Sequence, residues 1–308
     1  MTYASGNNKR SKRGALLKRL FPIFLVYSFI VFPSPGSVFV FTSPFSTAHA
    51  EQIFNKSPFP DFVGEALVYR LSFRLFKHIA DAEFYFGEAD GPGRYYAELN
   101  VETKGVIGWI SQRRQHIYRS EFELVNEGKR LRSLYHKQGI FTWERADISE
   151  SWMDYKKMKQ RWRATKKGEV IEEDSRDIPA GETFEDVLSA FYNFRSGVFG
   201  EIVKGKRYRI TSIPTKGITH FDARVATNGE RKDLKGKGER DFESDYMITV
   251  DIPPEIFDSK TGDGKIWFNG NMIPVAGLIE DIKGLGAILG NLHKVTIKIE
   301  RPVGAGGG

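Results

Sequence analysis

The chain has 308 residues with 46 Lys and Arg against 39 Asp and Glu, a formal charge of +7 that at first sight points to a polyanionic partner. The first fifty residues hold six of those basic residues and none of the acidic ones, so 40 against 39 remain beyond them, a net of +1, and charge argues against nucleic acid as a partner. With no cysteine anywhere, disulfides, thiolate metal sites, a lipoprotein anchor and a cysteine nucleophile are excluded as well.

Lys9, Arg10, Lys12, Arg13, Lys18 and Arg19 precede an apolar run from Leu20 to Phe32, and Ala48-His49-Ala50 places small residues where a signal peptidase reads. The expectation is a signal peptide over residues 1–50, cleaved after Ala50, that sends the remainder to the periplasm or cell envelope. The alternative is an uncleaved N-terminal membrane anchor with the domain outside. Pro33, Pro35 and Gly36 weigh against that anchor by cutting the run below the ~20 residues a spanning helix needs.

A lead-in over residues 51–62 comes next, then a β-rich domain over 63–303 and a glycine-rich disordered tail over 304–308. From Gly64 to Leu75 the chain alternates, with Leu67, Tyr69, Leu71, Phe73 and Leu75 on one side, which predicts a half-buried strand. Strands follow at 82–86 and 95–103 around Gly91-Pro92-Gly93, and at 116–125 and 130–137 around Asn126-Glu127-Gly128. Residues 152–163 and 169–173 read as a further pair split by Lys166-Lys167-Gly168, the first so charged that it reads as a sheet edge or as a strand facing water on both sides.

Thr183 to Arg195 sets Phe184, Val187, Leu188, Phe191 and Phe194 at helical spacing, predicting an amphipathic helix of about three turns with Thr183 as its N-cap. Strands resume at 207–213, 219–226, 246–252, 265–268, 272–278 and 294–300, with a charged, mobile loop expected over 228–240 and flexible turn glycines at Gly284, Gly286 and Gly290. Together these make a mainly β fold: a curved antiparallel sheet or partly open β-barrel with one amphipathic helix packed on it.

Motifs for chemistry are missing. Gly200 to Lys206 resembles a phosphate-binding loop, but Arg207 stands where Ser or Thr is required and the segment runs from helix to strand. His78, His116, His136, His220 and His293 form no pair at metal-ligand spacing, and no Gly-x-Ser-x-Gly elbow occurs. No catalytic residue, metal ligand or cofactor is assigned, and the reading leans away from an enzyme.

Trp109, Trp143, Trp152, Trp162 and Trp267 head an aromatic surplus that reads either as core or as the lining of a concave ligand face. Tyr69, Ser189, Tyr192, Arg195 and Trp267 are the candidate ligand-binding residues. Tyr192 and Arg195 either lock the helix to the sheet or rim a pocket for an anionic head group.

Three stretches carry a resemblance. Gly64-Glu65-Ala66-Leu67-Val68-Tyr69 running to Asp81-Ala82-Glu83, the helix segment Asp186 to Arg195, and Ile273-Pro274-Val275 resemble the exported bacterial family catalogued as domain of unknown function 3108, whose patterns read Gly-Glu-x-Leu-x-Tyr, Asp-x-Leu-Ser-x-x-Tyr-x-x-Arg and Ile-Pro-Val. Asp81 stands where that family has glycine, and Asn269-Gly270-Asn271 lacks its usual acid. The resemblance implies an envelope location and a β-rich fold, and it brings no catalytic residues. The functional expectation is a non-enzymatic envelope protein that binds a lipid, a lipoprotein or an outer-membrane or surface protein, with peripheral membrane contact. The alternatives are a periplasmic hydrolase on glycan or peptide and a structural interaction module that uses a sheet edge.

Overall fold

Alternating apolar and polar residues bury one face of a strand each time a neighbour pairs with it, and here that pattern builds fourteen antiparallel strands into a single open sheet. The computed structural model describes residues 57–212, 219–237, 239–257, 259–282 and 286–297. The leader, its Ala50 junction and the C-terminal tail lie outside these residues.

The first eight strands form a meander: β1 (Ala66–Phe73), β2 (Phe76–Glu88), β3 (Arg94–Thr103), β4 (Gln115–Val125), β5 (Arg130–Phe141), β6 (Ala146–Asp154), β7 (Lys159–Lys166) and β8 (Glu169–Asp177). The chain then enters helix α2 (Val187–Arg195) and returns through β9 (Arg207–Ser212), β10 (Thr219–Val225), β11 (Tyr246–Asp251), β12 (Asp263–Phe268), β13 (Pro274–Ile282) and β14 (Gly286–Thr296). Strand β14 pairs with β1, which gives the order β8 to β1, then β14 to β9. Among the described residues three short α-helices, α1 (Gly105–Ile110), α3 (Asn228–Gly236) and α4 (Pro254–Phe257), and a 3-10 helix over Phe59–Phe62 complete the set.

The sheet curls around α2, which packs against β3, β4 and β5. One cluster fills the concave side with Leu67, Phe86, Phe122 and Leu131 from the meander, Leu188 and Tyr192 from α2, Ile210 and Phe221 from β9 and β10, and Ile256 from α4. That cluster draws on both arms of the strand order, so the structure is barrel-like and the helix is its plug. A second cluster with Met247, Trp267 and Ala276 lies on the opposite face of β11 to β13, beneath Leu234 of α3 and Phe242.

The expected antiparallel β class with a packed helix is what the chain adopts, and several details differ. Residues 152–163 are not one strand: Asp154 Oδ1 accepts from the amides of Lys156 and Lys157, and this turn separates β6 from β7. Among the described residues the two sheet edges are β8 and β9; β8 pairs with β7 alone and is exposed on both faces, while β6 and β7 lie inside the sheet with Met153 and Trp162 buried.

Leu75 continues the alternation of β1 in sequence yet sits in the turn beyond it, 94% exposed. The 228–240 stretch is helical over α3 because Thr227 and Glu230 form a capping box. Gly290 is no turn residue: it lies within β14, and a Cβ there would meet Leu71 at 2.9 Å. Asp81-Ala82-Glu83 lies inside β2.

Candidate functional site

Helix α2 begins three residues later than its apolar spacing implies. Asp186, not Thr183, is the N-cap: its carboxylate accepts from the amides of Leu188 (2.8 Å) and Ser189 (3.0 Å), and Ser189 Oγ accepts from the Asp186 amide at 2.9 Å. Phe184 falls outside the helix and packs with Met153 and Ile178. Nor is the helix amphipathic in place, since Leu188, Ser189, Ala190, Tyr192, Asn193, Phe194 and Arg195 are all buried. A helix enclosed all round must satisfy its polar side chains internally: Asn193 and Arg195 do so through bonds that reach outside the helix, Ser189 does so at the N-cap, and the Tyr192 hydroxyl is left without a partner.

Arg195 closes the C-terminal turn. Nη1 and Nη2 donate to the two carboxylate oxygens of Glu65 at 2.6 and 2.7 Å, and Nε donates to the carbonyl of Met272 at 2.8 Å. Its guanidinium also lies over Phe62 at 4.7 Å and Phe191 at 5.3 Å. Burial alone would depress its pKa, and the Glu65 carboxylate more than offsets that, holding the pKa above the usual guanidinium value.

Tyr69 is buried beside this pair and donates to the carbonyl of Pro274 at 2.7 Å. Tyr192 packs on Phe86 at 4.6 Å and Phe62 at 5.4 Å, while its hydroxyl makes no hydrogen bond. Burial pushes both phenols above the ordinary tyrosine range.

Three of the five candidate residues therefore meet at one junction, Tyr69, Tyr192 and Arg195, while Ser189 sits at the far end of the helix and bonds its N-cap Asp186. Trp267 stands apart, fully buried in the other cluster with Nε1 donating to Asp241 at 2.9 Å. The carboxylate facing Arg195 is the chain's own Glu65. The three stretches that carry the family resemblance are the ones that meet here: Glu65 and Tyr69 from the first, Arg195 from the second, Pro274 from the third.

A second polar cluster surrounds the start of the helix. Ser120 Oγ donates to Asp186 Oδ1 at 2.8 Å and lies 2.9 Å from His136 Nδ1. Glu185 receives Arg130 through Nε (3.0 Å) and Nη2 (2.7 Å), and Asn193 through Nδ2 (2.9 Å). Asn193 also brackets the backbone of Leu131, accepting from its amide and donating to its carbonyl, both at 2.9 Å. Burial lowers the His136 pKa, with Asp186 acting in the opposite direction, and burial raises that of Glu185 against the pull of Arg130.

Ser, His and Asp are thus neighbours, but not as a nucleophile with its base. The serine gives its proton to the carboxylate, the carboxylate and the serine approach the same histidine nitrogen (3.8 and 2.9 Å), and Ser120 is fully buried. Nothing in the sequence spacing points to this cluster, because its members lie 16 to 66 residues apart.

The aromatic surplus divides by place. Trp162 and Trp267 are buried, while Trp109 and Trp143 are 71% and 62% exposed. Leu75 and Phe76 on the β1–β2 turn, Val106, Trp109 and Ile110 on α1, Trp143 on the β5–β6 turn, and Val170 and Ile171 at the start of β8 are all exposed. Antiparallel pairing puts the β1–β2, β3–β4, β5–β6 and β7–β8 connections at one end of the sheet, so these residues share a rim.

Helix α1 can lie flat on that rim because residue 108 is glycine; a Cβ there would sit 2.7 Å from the carbonyl oxygen of Thr103. The opposite connections are polar: Asp90-Gly91-Pro92-Gly93, Asn126 to Lys129, and Lys156-Lys157.

No family model matches the chain, and no curated protein matches it. Among solved structures it is similar to a beta-barrel-like protein of domain of unknown function DUF1849 from Brucella abortus, at 11% identity and a TM-score of 0.43, covering 77% of this chain and 98% of that one. The barrel-like fold stands on the strand pairing described above.

Proposed function

We propose that this chain is an exported cell-envelope protein, non-enzymatic, that binds a lipid, lipoprotein or other amphipathic partner in envelope assembly. The observation that supports this most is the distribution of apolar surface: the concave side is occupied by the chain's own helix and aromatic core, while large apolar side chains stand exposed along one rim. The partner is therefore met from outside the sheet, not within it. The cationic leader supports export, and the meeting of the three resembling stretches at one junction supports kinship with the family of domain of unknown function 3108.

The hydrolase alternative needs acids, bases or nucleophiles converging in an open cleft. The described convergence at Ser120, His136 and Asp186 is buried and wrongly ordered for it. The interaction-module reading has one specific observation in its favour, the exposed edge of β8, whose outer backbone groups have no neighbouring strand.

Cell fractionation of the full chain tests the proposal. A product beginning at Glu51 in the periplasm or on a membrane is expected, with a lipid or envelope protein retained on gentle purification. A full-length chain free in the cytosol overturns it.

A further inference from the structure

We infer that the rim carrying Trp109 and Trp143 is a docking surface for an anionic phospholipid bilayer. Apolar tips alone would fit any greasy partner, so the choice of occupant rests on the charges beside them. Arg74, Lys77, Arg113, Lys166 and Lys167 project from the same connections, are exposed, and form no ion pair among the described residues. Acids on this rim are largely engaged: Glu102 and Asp81 with Lys104, Asp81 also with His78, and Asp147 with Arg145. Glu144 and Glu169 are the unpaired acids on these four connections among the described residues.

A cleft of about 410 Å³ opens on this rim between α1 and the β5–β6 and β7–β8 turns, lined by Gln112, Arg114, Glu144, Arg145 and Lys167. A lipid phosphate seated in the cleft meets the cations of Arg114, Arg145 and Lys167 that line it, while Trp109 and Trp143 enter the interfacial layer beside it.

Dimensions agree with a flat surface. Four connections, each two strands from the next at ~4.8 Å per strand, spread the contact over roughly 30 Å. Tryptophan at a membrane interface with Lys and Arg around it is the composition by which peripheral proteins hold anionic bilayers. The opposite connections carry Lys129, Lys156 and Lys157 but no tryptophan.

The inference rests on the proposal that the partner is amphipathic and met from outside. The experiment takes the full chain and vesicles of phosphatidylglycerol with phosphatidylcholine, or phosphatidylcholine alone, with brominated acyl chains as quenchers of tryptophan fluorescence. Expected are a blue shift and quenching on the anionic vesicles, and weaker binding in salt. Trp109→Ser and Trp143→Ser each weaken partition by on the order of tenfold. Arg114→Gln with Lys167→Gln lowers the preference for anionic vesicles by roughly 25-fold at unchanged fold, with each charge worth roughly fivefold.

Emission unchanged on both vesicle types overturns the inference, as does binding that ignores lipid charge or survives both tryptophan substitutions. A concentration-dependent dimer that protects Trp109 without vesicle binding overturns it in favour of self-association. If the protein fractionates with the envelope but ignores vesicles, this inference falls and the proposed function stands; a cytosolic chain removes the proposed function whatever the vesicles show.

Discussion

Arg195→Met would strip the helix junction of the cation that faces Glu65. The two side chains are 1% and 4% exposed, so the carboxylate left behind stays buried and uncompensated. Breaking a buried pair from one side costs about 3–5 kcal/mol, and the Met272 carbonyl loses its donor for about 1 kcal/mol more. A total of about 4–6 kcal/mol is a large share of the 5–15 kcal/mol that holds an ordinary domain together.

Glu65→Gln keeps an acceptor for Arg195 but removes the opposing charge, and should cost about 3 kcal/mol. The double variant Glu65→Leu with Arg195→Met removes both charges and leaves aliphatic bulk against Phe62 and Phe191, so it should return to within about 2 kcal/mol of the parent. Urea unfolding followed by tryptophan emission reads this out; with a slope near 3 kcal/mol per molar, Arg195→Met lowers the midpoint by more than about 1 M. Single variants that each cost under about 1 kcal/mol, or a double variant as unstable as the sum of the singles, would refute the view that this pair locks helix to sheet.

The two buried tyrosines should respond in opposite directions to loss of a hydroxyl. Tyr69→Phe gives up the bond to Pro274 and destabilises by about 1 kcal/mol, whereas Tyr192→Phe removes a hydroxyl with no acceptor and is neutral or stabilising by about 1 kcal/mol, both measured by urea midpoint. For His136, burial holds the folded pKa below the ordinary value of 6.5. Between those two pKa values the unfolded chain binds a proton that the folded chain does not, so stability falls as pH drops through that window, by up to about 1.4 kcal/mol per unit.

His136→Asn should erase that slope. Glu185, raised by burial, has the opposite sign and gains stability on protonation, so the measurement is the difference between parent and variant from pH 7.5 downward, and a parallel pair of curves counts against the reading. Gly108→Ala places a Cβ 2.7 Å from the Thr103 carbonyl and should lift α1 from the rim. Faster amide exchange over residues 105–111 with a global midpoint changed by less than about 1 kcal/mol is the expected result, and unchanged exchange would show that the close approach is not what seats the helix.

Much of the sheet was legible from its own alternation. Leu67 and Tyr69 fall on the buried side of β1 as their spacing predicts, and the turn at Asn126-Glu127-Gly128 lies where the sequence puts it, with all three residues at positive φ. Spacing misled where a short signal competed with it. The Thr227-x-x-Glu230 pair makes a helix of a stretch that composition reads as loop, and Asp154 turns the chain inside what reads as one charged strand. Both signals were present in the sequence, as side chains that bond a backbone amide two or three residues on.

By itself the sequence determined the β class, most of the strands and the residues of the helix motif, because these depend on local periodicity and on side chains near one another along the chain. Only the tertiary structure decided what those residues do. Glu65 and Arg195 are 130 positions apart, and Tyr69 and Pro274 are 205 apart, so no local pattern reveals that they meet. The same holds for the rim: Leu75, Trp109, Trp143 and Val170 read as four unrelated apolar residues until antiparallel pairing brings alternate connections to one end of the sheet. A meander returns every second turn to the same side, and that geometric fact turns scattered tryptophans into a surface.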